Sequence, residues 1–154
     1  MNNKEQKTYS KGWSSHGLVA LQFGSIAVGV FPFSVPQGVT WWLGASIIGV
    51  GIGLYTLRYN RLGNFAVYPE PLDHARLITS GPYRWVRHPM YLSLLLFMLG
   101  ITMYNGNLLN QLSLLTLGIA IFGKMNKEEA YLRSHFDGYD DYCLKNKRLI
   151  PFVY

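Results

Sequence analysis

Two short segments carry side chains whose types and spacing suit the binding of a charged small molecule. The first is the run Arg87-His88-Pro89, which lies between Tyr83 and Tyr91, and the second is the acidic pair Glu128-Glu129. Guanidinium and imidazolium groups bind carboxylates, and carboxylates bind ammonium groups. Aromatic faces accommodate cations. Together, these residue types predict a site for a ligand that carries charges of both signs.

Each segment also has a plainer interpretation. An Arg-His pair beside a membrane usually acts as an anchor, and an acidic pair is usually a solvated helix face. Anchoring, however, requires no fixed order of a proline and two tyrosines around the basic pair. The pair Glu128-Glu129 follows a charge-free apolar tract by only a few residues, where a carboxylate without a partner is costly. The arrangement therefore favours a binding site.

The rest of the chain predicts where these segments must lie. The protein has 154 residues, 49% hydrophobic and only 14% charged, with a net charge of +6. An ordinary soluble domain has about 25% charged residues. Residues 12–57 and 88–123 contain no Asp, Glu, Lys or Arg. The composition argues against both disorder and a water-soluble domain. It predicts a single all-α membrane domain, and the alternative of two buried hairpins in a soluble protein is disfavoured.

Turn-forming residues divide each charge-free tract into two spans. The breaks at residues 34–38 and 105–107 leave spans at 17–33 and 39–57, and at 90–104 and 108–123. A helix needs about 20 residues to cross a bilayer, with a lower limit of about 17. Spans 17–33 and 39–57 reach this limit, whereas 90–104 and 108–123 are short and need help from flanking residues or from a locally thin bilayer. With that help, we predict four transmembrane helices in two hairpins. The predicted segments are a tail (1–16), a first hairpin (17–57), a loop (58–89), a second hairpin (90–123) and a C-terminal helix with its tail (124–154).

Orientation follows from the basic residues, which accumulate on the cytoplasmic side of membrane proteins. All 14 lie in the N-terminal tail, the central loop and the C-terminal segment, which four spans place on one side. Both termini are therefore predicted to be cytoplasmic, in a multi-pass protein of the cell or inner membrane. A cleaved signal peptide is the competing interpretation of the N-terminus, because three lysines precede an apolar run.

Two further patterns concern packing. Small residues four apart, at Ser25 and Gly29 and at Ala45, Gly49 and Gly53, predict helix faces that allow close approach. After residue 123, apolar residues at helical spacing predict an amphipathic helix on the membrane surface, in which Glu129 and Arg133 pair.

The two chemical segments together resemble the isoprenylcysteine carboxyl methyltransferase family, to which the phospholipid methyltransferases are related. The matching pattern is Gly81-x-Tyr83-x-x-x-Arg87-His88-Pro89-x-Tyr91, a hairpin, then Glu128-Glu129-x-x-Leu132-x-x-x-Phe136, Tyr139-x-x-Tyr142 and Arg148-x-x-Pro151. Two separate motifs in the same order make this a specific resemblance, and it covers residues 68–151.

The resemblance implies an integral-membrane enzyme that binds S-adenosylmethionine and methylates a lipidic or apolar acceptor. It implies cofactor-binding roles for the residues that match the two motifs. These are Ala75, Arg76, Leu77, Ile78, Tyr83, Arg87, His88, Pro89, Met90, Tyr91 and Glu128. It also implies catalytic roles for Lys124, at the position of the family's substrate-side arginine, and for the adjacent Glu129.

The chain departs from the family pattern in two places. Phe136-Asp137-Gly138 replaces the usual Phe-Gly, which shifts the expected helix end by one residue. Lys124 keeps the positive charge of the arginine but lacks the planar fork that grips a carboxylate. The acceptor is therefore left open among a carboxylate, an amine and a thiol.

Two other functions fit the same segments. One is a non-catalytic binding or assembly protein on this scaffold, and the other is an NADPH-dependent enzyme similar to the membrane sterol reductases. The sequence shows no metal-ligand spacing and no nucleic-acid-binding pattern, and its single Cys143 excludes an internal disulfide. The identity of the bound cofactor discriminates among the three functions.

Overall fold

The computed structural model describes residues 12–60, 67–70 and 76–153, and the regular secondary structure in these ranges is helical. The fold class predicted from the sequence, all-α, is confirmed. Five α-helices follow one another along the described chain: α1 (Trp13–Val30), α2 (Leu43–Asn60), α3 (Pro89–Asn105), α4 (Leu108–His135) and α5 (Tyr139–Lys145). Short 3-10 turns precede α2 (Thr40–Trp42) and α3 (Gly81–Arg84).

The turn between α3 and α4 forms at the residues that the sequence indicates. Gly106 follows α3 in the left-handed conformation, with φ of 71°, and its N–H donates to the Thr102 carbonyl over 3.1 Å. Asn107 then caps α4 by accepting a hydrogen bond from the Leu109 N–H over 2.9 Å. Pro89 at the first turn of α3 lacks only an N–H that the helix leaves unpaired anyway. Local chemistry thus sets the bounds of this hairpin.

The four long helices do not pack as two hairpins. The helix α2 packs mainly against α3, and α1 packs mainly against α4. The hydroxyls of Ser25 and Thr116 are 2.7 Å apart, and the Asn110 side chain donates to the carbonyls of Val28, Gly29 and Phe31. These bonds join α1 to α4. Helices α3 and α4 also contact each other, but each packs mainly on another helix, so neither predicted hairpin forms the main packing unit.

The predicted amphipathic C-terminal helix is not a separate element. The helix α4 runs without a break from Leu108 to His135, and only the short α5 follows it. The sequence suggested a break because polar residues begin near residue 124, but no helix-terminating residue stands there. Gly138, with φ of 87°, instead makes the turn that separates α4 from α5.

The exposed surface of the helices is strongly apolar. Ile47 is 73% exposed, Leu54 64% and Ile119 66%, whereas Ser46, Thr56 and Ser113 are buried between helices. This is the reverse of a water-soluble domain and fits a lipid environment. Among the described segments, Thr40–Asn60 and Leu108–His135 are long and apolar enough to cross a membrane, and Pro89–Asn105 is a shorter apolar helix.

Small residues bring α2 and α3 into close contact, as the spacing predicts. A Cβ on Gly49 would lie 2.6 Å from the Phe97 nitrogen and 2.7 Å from the Ser93 carbonyl oxygen. We expect Gly49→Ala to force these helices apart and to destabilise the protein by about 1–3 kcal/mol, as overpacking does.

Gly51 provides the matched control for that substitution. It lies on the same helix, and a Cβ there would meet nothing within 4 Å. Thermal unfolding in detergent should show a lower midpoint for Gly49→Ala and an unchanged or higher one for Gly51→Ala, because alanine favours helix over glycine. Equal midpoints for the two variants would show that α3 leaves room for a Cβ at position 49, contrary to the prediction.

Candidate active site

A tight turn in the central loop places the first motif against α2. Gly81 has φ of +61°, and a Cβ there would lie 2.6 Å from the Tyr59 ring. Glycine is favoured at this position for both reasons. The 3-10 turn that starts at Gly81 positions Tyr83, and Pro89 begins α3, so that His88 and Tyr91 lie at the mouth of that helix.

The Glu129 carboxylate is the centre of an ion-pair cluster that joins three parts of the chain. Its Oε1 lies 3.0 Å from Arg87 Nε, 3.1 Å from His88 Nε2 and 3.2 Å from Arg148 Nε. Its Oε2 lies 3.5 Å from a terminal guanidinium nitrogen of Arg133, which confirms the predicted i, i+4 pair. Glu129, Arg87 and Arg148 are largely buried, so the cluster ties α4 to the central loop and to the tail.

Backbone hydrogen bonds reinforce that connection. The N–H groups of Arg87 and His88 donate to the carbonyls of Lys147 and Arg148 over 2.8 and 3.1 Å. A terminal guanidinium nitrogen of Arg87 also donates to the Asn146 carbonyl over 2.6 Å. The C-terminal tail therefore packs beside the first motif, although the sequence separates them by the whole second hairpin.

Glu128 faces a different direction from its neighbour. Its Oε2 accepts a hydrogen bond from the Tyr91 hydroxyl over 3.0 Å and lies 3.8 Å from His88 Nδ1. Its side chain is 34% exposed, against 6% for Glu129. This carboxylate consequently keeps room for a further partner.

A cavity of about 570 Å³ lies where the two motifs meet. Both motifs, the helices α1 to α4 and segment 67–70 contribute to its lining. Its charged and polar lining residues are Gln22, Asn60, Tyr68, Glu70, Arg76, Tyr83, Arg87, His88, Tyr91, Ser93, Lys124, Glu128, Tyr139 and Tyr142. Its apolar walls include Phe23, Ile26, Leu94 and Phe97. The cavity thus combines a charged region with an apolar wall from the helices.

Tyr83 and Tyr142, which lie outside the helical spans, are held neutral at the site. Burial, the negative charge of Glu128 and the neighbouring Tyr142 all raise the pKa of Tyr83 above its usual value. Burial is also the main cause of the raised pKa of Tyr142, whose hydroxyl donates to the Tyr83 carbonyl over 2.7 Å. Both side chains therefore present neutral aromatic surfaces to the cavity.

Lys124 is buried at the edge of the cavity, and only 2% of it is exposed. Its Nζ donates to Gln22 Oε1 over 2.6 Å and to the Val67 carbonyl over 2.7 Å, and it lies 5.6 Å from the centre of the Tyr91 ring. Two of its three hydrogens are therefore used within the protein. Lys124 links α4 to α1 and to segment 67–70.

The structure brings most of the residues predicted from the motifs to this one cavity. Those that line it are Arg76, Leu77, Ile78, Tyr83, Arg87, His88, Pro89, Met90, Tyr91, Lys124 and Glu128. Ala75 lies outside the described residues. Glu129 does not line the cavity, because its carboxylate points into the cluster of basic side chains. Its place is behind the site rather than in it.

Gln22 and Glu70 line the cavity and were not identified from the sequence. Gln22 is the one amide side chain within the first predicted span, residues 17–33, and a polar group in an apolar span is a recognisable functional signal. Glu70 stands between Pro69 and Pro71 in the central loop, where no motif marks it. Only the fold brings these two residues to the site.

Two sequence comparisons with known proteins show which family the chain is related to. The family model described as phospholipid methyltransferase matches residues 39–138. A protein-S-isoprenylcysteine O-methyltransferase from Schizosaccharomyces pombe is 39% identical over 83 residues, which are 53% of this chain and 35% of that protein. The aligned part is thus about a third of that relative's length. The family match includes α2, the first motif, α3 and α4 with its acidic pair. On this evidence, the chain belongs to the phospholipid methyltransferase family.

Proposed function

We propose that this protein is an integral-membrane methyltransferase that uses S-adenosylmethionine and acts on a lipidic or apolar acceptor. The observation that carries the proposal is the convergence of two distant motifs on one cavity, with carboxylate, guanidinium and aromatic groups beside an apolar wall. Bound there, the cofactor would supply a methyl group on a positively charged sulfur. Family membership and the relative's name support methyl transfer.

The charged lining residues fit the cofactor's three charged groups. Glu128 is suited to bind its ammonium group, because the carboxylate is partly exposed to the cavity and Tyr91 holds it in place. The Arg76 guanidinium lines the cavity and is suited to bind its carboxylate. The aromatic rings of Tyr83 and Tyr91 are suited to a cationic sulfur.

Glu129 and Lys124 are assigned the role of holding other parts of the site in place. Glu129 orients Arg87 and His88, and through them the beginning of α3, so we assign it a positioning role rather than contact with the substrate. Lys124 holds α1 and segment 67–70 against the cavity. A largely apolar cavity limits the access of water and keeps two reactants aligned, which is the main requirement for a displacement reaction.

The membrane placement is part of the same proposal. We infer four spans from α1 to α4, with both termini on the cytoplasmic side together with the cavity. The exposed apolar helix faces support the spans. The confinement of every Lys and Arg to three segments on one side supports the orientation. An apolar acceptor would then reach the cavity from the bilayer.

Calorimetry on the detergent-solubilised protein tests the cofactor assignment. We expect S-adenosylmethionine and S-adenosylhomocysteine to bind and NADPH to give no binding heat. Binding of NADPH alone would favour a reductase, and binding of none of the three would favour a non-catalytic protein. Either result would contradict the proposed function.

A further inference from the structure

A buried carboxylate in the cavity has no role in the cofactor assignment. Glu70 lines the cavity and is only 5% exposed. Its Oε1 accepts a hydrogen bond from the Ser15 hydroxyl. Among the described residues, its Oε2 has no hydrogen-bond partner. One oxygen of this carboxylate is therefore held by the protein, and the part of the chain that the structure describes offers no donor to the other.

The segment that carries Glu70 is fixed on two sides. The Tyr68 hydroxyl and His16 Nδ1 on α1 are 3.1 Å apart, and Lys124 on α4 donates to the Val67 carbonyl over 2.7 Å. Pro69 is fully buried. Glu70 consequently has a defined orientation, and its unpartnered oxygen is not a consequence of a loose surface loop.

Lys124 connects Glu70 with Glu128, the carboxylate that is proposed to bind the cofactor's ammonium group. Glu128 binds the Tyr91 hydroxyl, the Tyr91 ring lies under Lys124 Nζ, and that nitrogen bonds to the segment containing Glu70. Both carboxylates line one cavity, and Lys124 and the Tyr91 ring connect their two positions. Because burying a carboxylate oxygen without a donor is unfavourable, the position calls for a ligand that brings a hydrogen.

We propose that Glu70 is a catalytic residue at the acceptor end of the cavity. Its Oε2 accepts a hydrogen bond from the nucleophile to be methylated and then takes that hydrogen as a proton. The acceptor must therefore carry a hydrogen on its nucleophilic atom, and an amine matches a carboxylate best because the two have opposite charges. An ionised carboxylate acceptor would instead be repelled. This inference rests on the proposed methyl transfer.

The proton transfer is balanced for an ammonium acceptor. An N–H bond breaks, its electron pair stays on nitrogen, and an O–H bond forms at Glu70 Oε2. The nitrogen pair then forms the bond to the methyl carbon, while the pair of the broken carbon–sulfur bond stays on sulfur. Glu70 later returns its proton to water, and the carboxylate is restored.

The test measures binding of a probe amine without any cofactor. Dodecylamine and dodecanoate are titrated, in detergent micelles, into the native protein, Glu70→Gln and the control Asp141→Asn, whose carboxylate is exposed on α5. We expect Glu70→Gln to weaken dodecylamine binding by about tenfold or more, and dodecanoate binding to be unchanged or stronger. Asp141→Asn should behave as the native protein.

Stability and cofactor binding separate this inference from its alternatives. Glu70→Gln should keep the native unfolding temperature and S-adenosylmethionine affinity but lose at least tenfold in methylation of dodecylamine. If Glu70→Gln does not fold, Glu70→Asp retains the charge and should still weaken amine binding by withdrawing the oxygen. Unchanged amine binding in the folded variant would overturn the inference. If the native protein binds dodecylamine through Glu70 but binds no S-adenosylmethionine, the proposed function fails instead.

Discussion

Glu129→Ala is expected to lower the free energy of unfolding by about 3–5 kcal/mol. The substitution removes the carboxylate that Arg87, His88 and Arg148 share, and it leaves the largely buried guanidinium groups of Arg87 and Arg148 without that opposing charge. The C-terminal tail should also separate from the central loop, since the cluster and the adjacent backbone bonds connect them. Thermal unfolding in detergent and proteolysis of the tail measure the two effects.

Arg133→Ala is the control for that prediction. Arg133 contacts the same carboxylate from the protein surface, where its side chain is 47% exposed. An exposed ion pair contributes about 0–1 kcal/mol, so this variant should unfold close to the native temperature. A double-mutant cycle between Arg87 and Glu129 should show strong coupling. Purely additive effects in that cycle would contradict the cluster's structural role.

Glu128→Gln is expected to weaken S-adenosylmethionine binding by about 10- to 150-fold. That range corresponds to the loss of one charge-assisted hydrogen bond, about 1.5–3 kcal/mol. The glutamine oxygen can still accept the Tyr91 hydrogen bond, so the fold should not change. Calorimetry on the native and variant proteins gives the ratio of dissociation constants.

Substitutions of the two acidic residues should therefore affect different measured quantities. Glu128→Gln should change the dissociation constant at an unchanged unfolding temperature, whereas Glu129→Ala should change the unfolding temperature first. Asp141→Asn removes an equal charge from the exposed face of α5 and should alter neither. If Glu128→Gln bound S-adenosylmethionine as tightly as the native protein, Glu128 would not be a cofactor contact.

Much of the fold follows from local sequence signals. Two long tracts without charge predict helices, because only apolar residues continue through them. Pro89, Gly106 and Asn107 mark helix ends through backbone chemistry that depends on near neighbours alone. Most of the motif residues line one cavity, and within each motif they are neighbours because the motif is contiguous in the chain.

The packing order of the helices is decided by tertiary structure. The sequence predicts hairpins because consecutive helices are usually neighbours, yet α1 packs mainly on α4 and α2 mainly on α3. The apolar residues surround each helix, so their pattern does not indicate which face meets a partner. Small and polar side chains such as Ser25 and Gly49 mark the contact faces, but they do not specify which helix fills them.

The roles of the acidic pair and of Glu70 are likewise decided by the fold. Consecutive residues on a helix are separated by about 100° of rotation, so Glu128 and Glu129 must face different surroundings. Their order in the sequence does not reveal which one meets the cavity and which one meets Arg87. Glu70 and Gln22 carry no motif, and they reach the site because segment 67–70 and α1 pack against α4. The sequence thus determined the helices and the chemistry of the motifs through local interactions. Contacts between distant residues determined which carboxylates face the cavity and which one instead holds the basic side chains behind it.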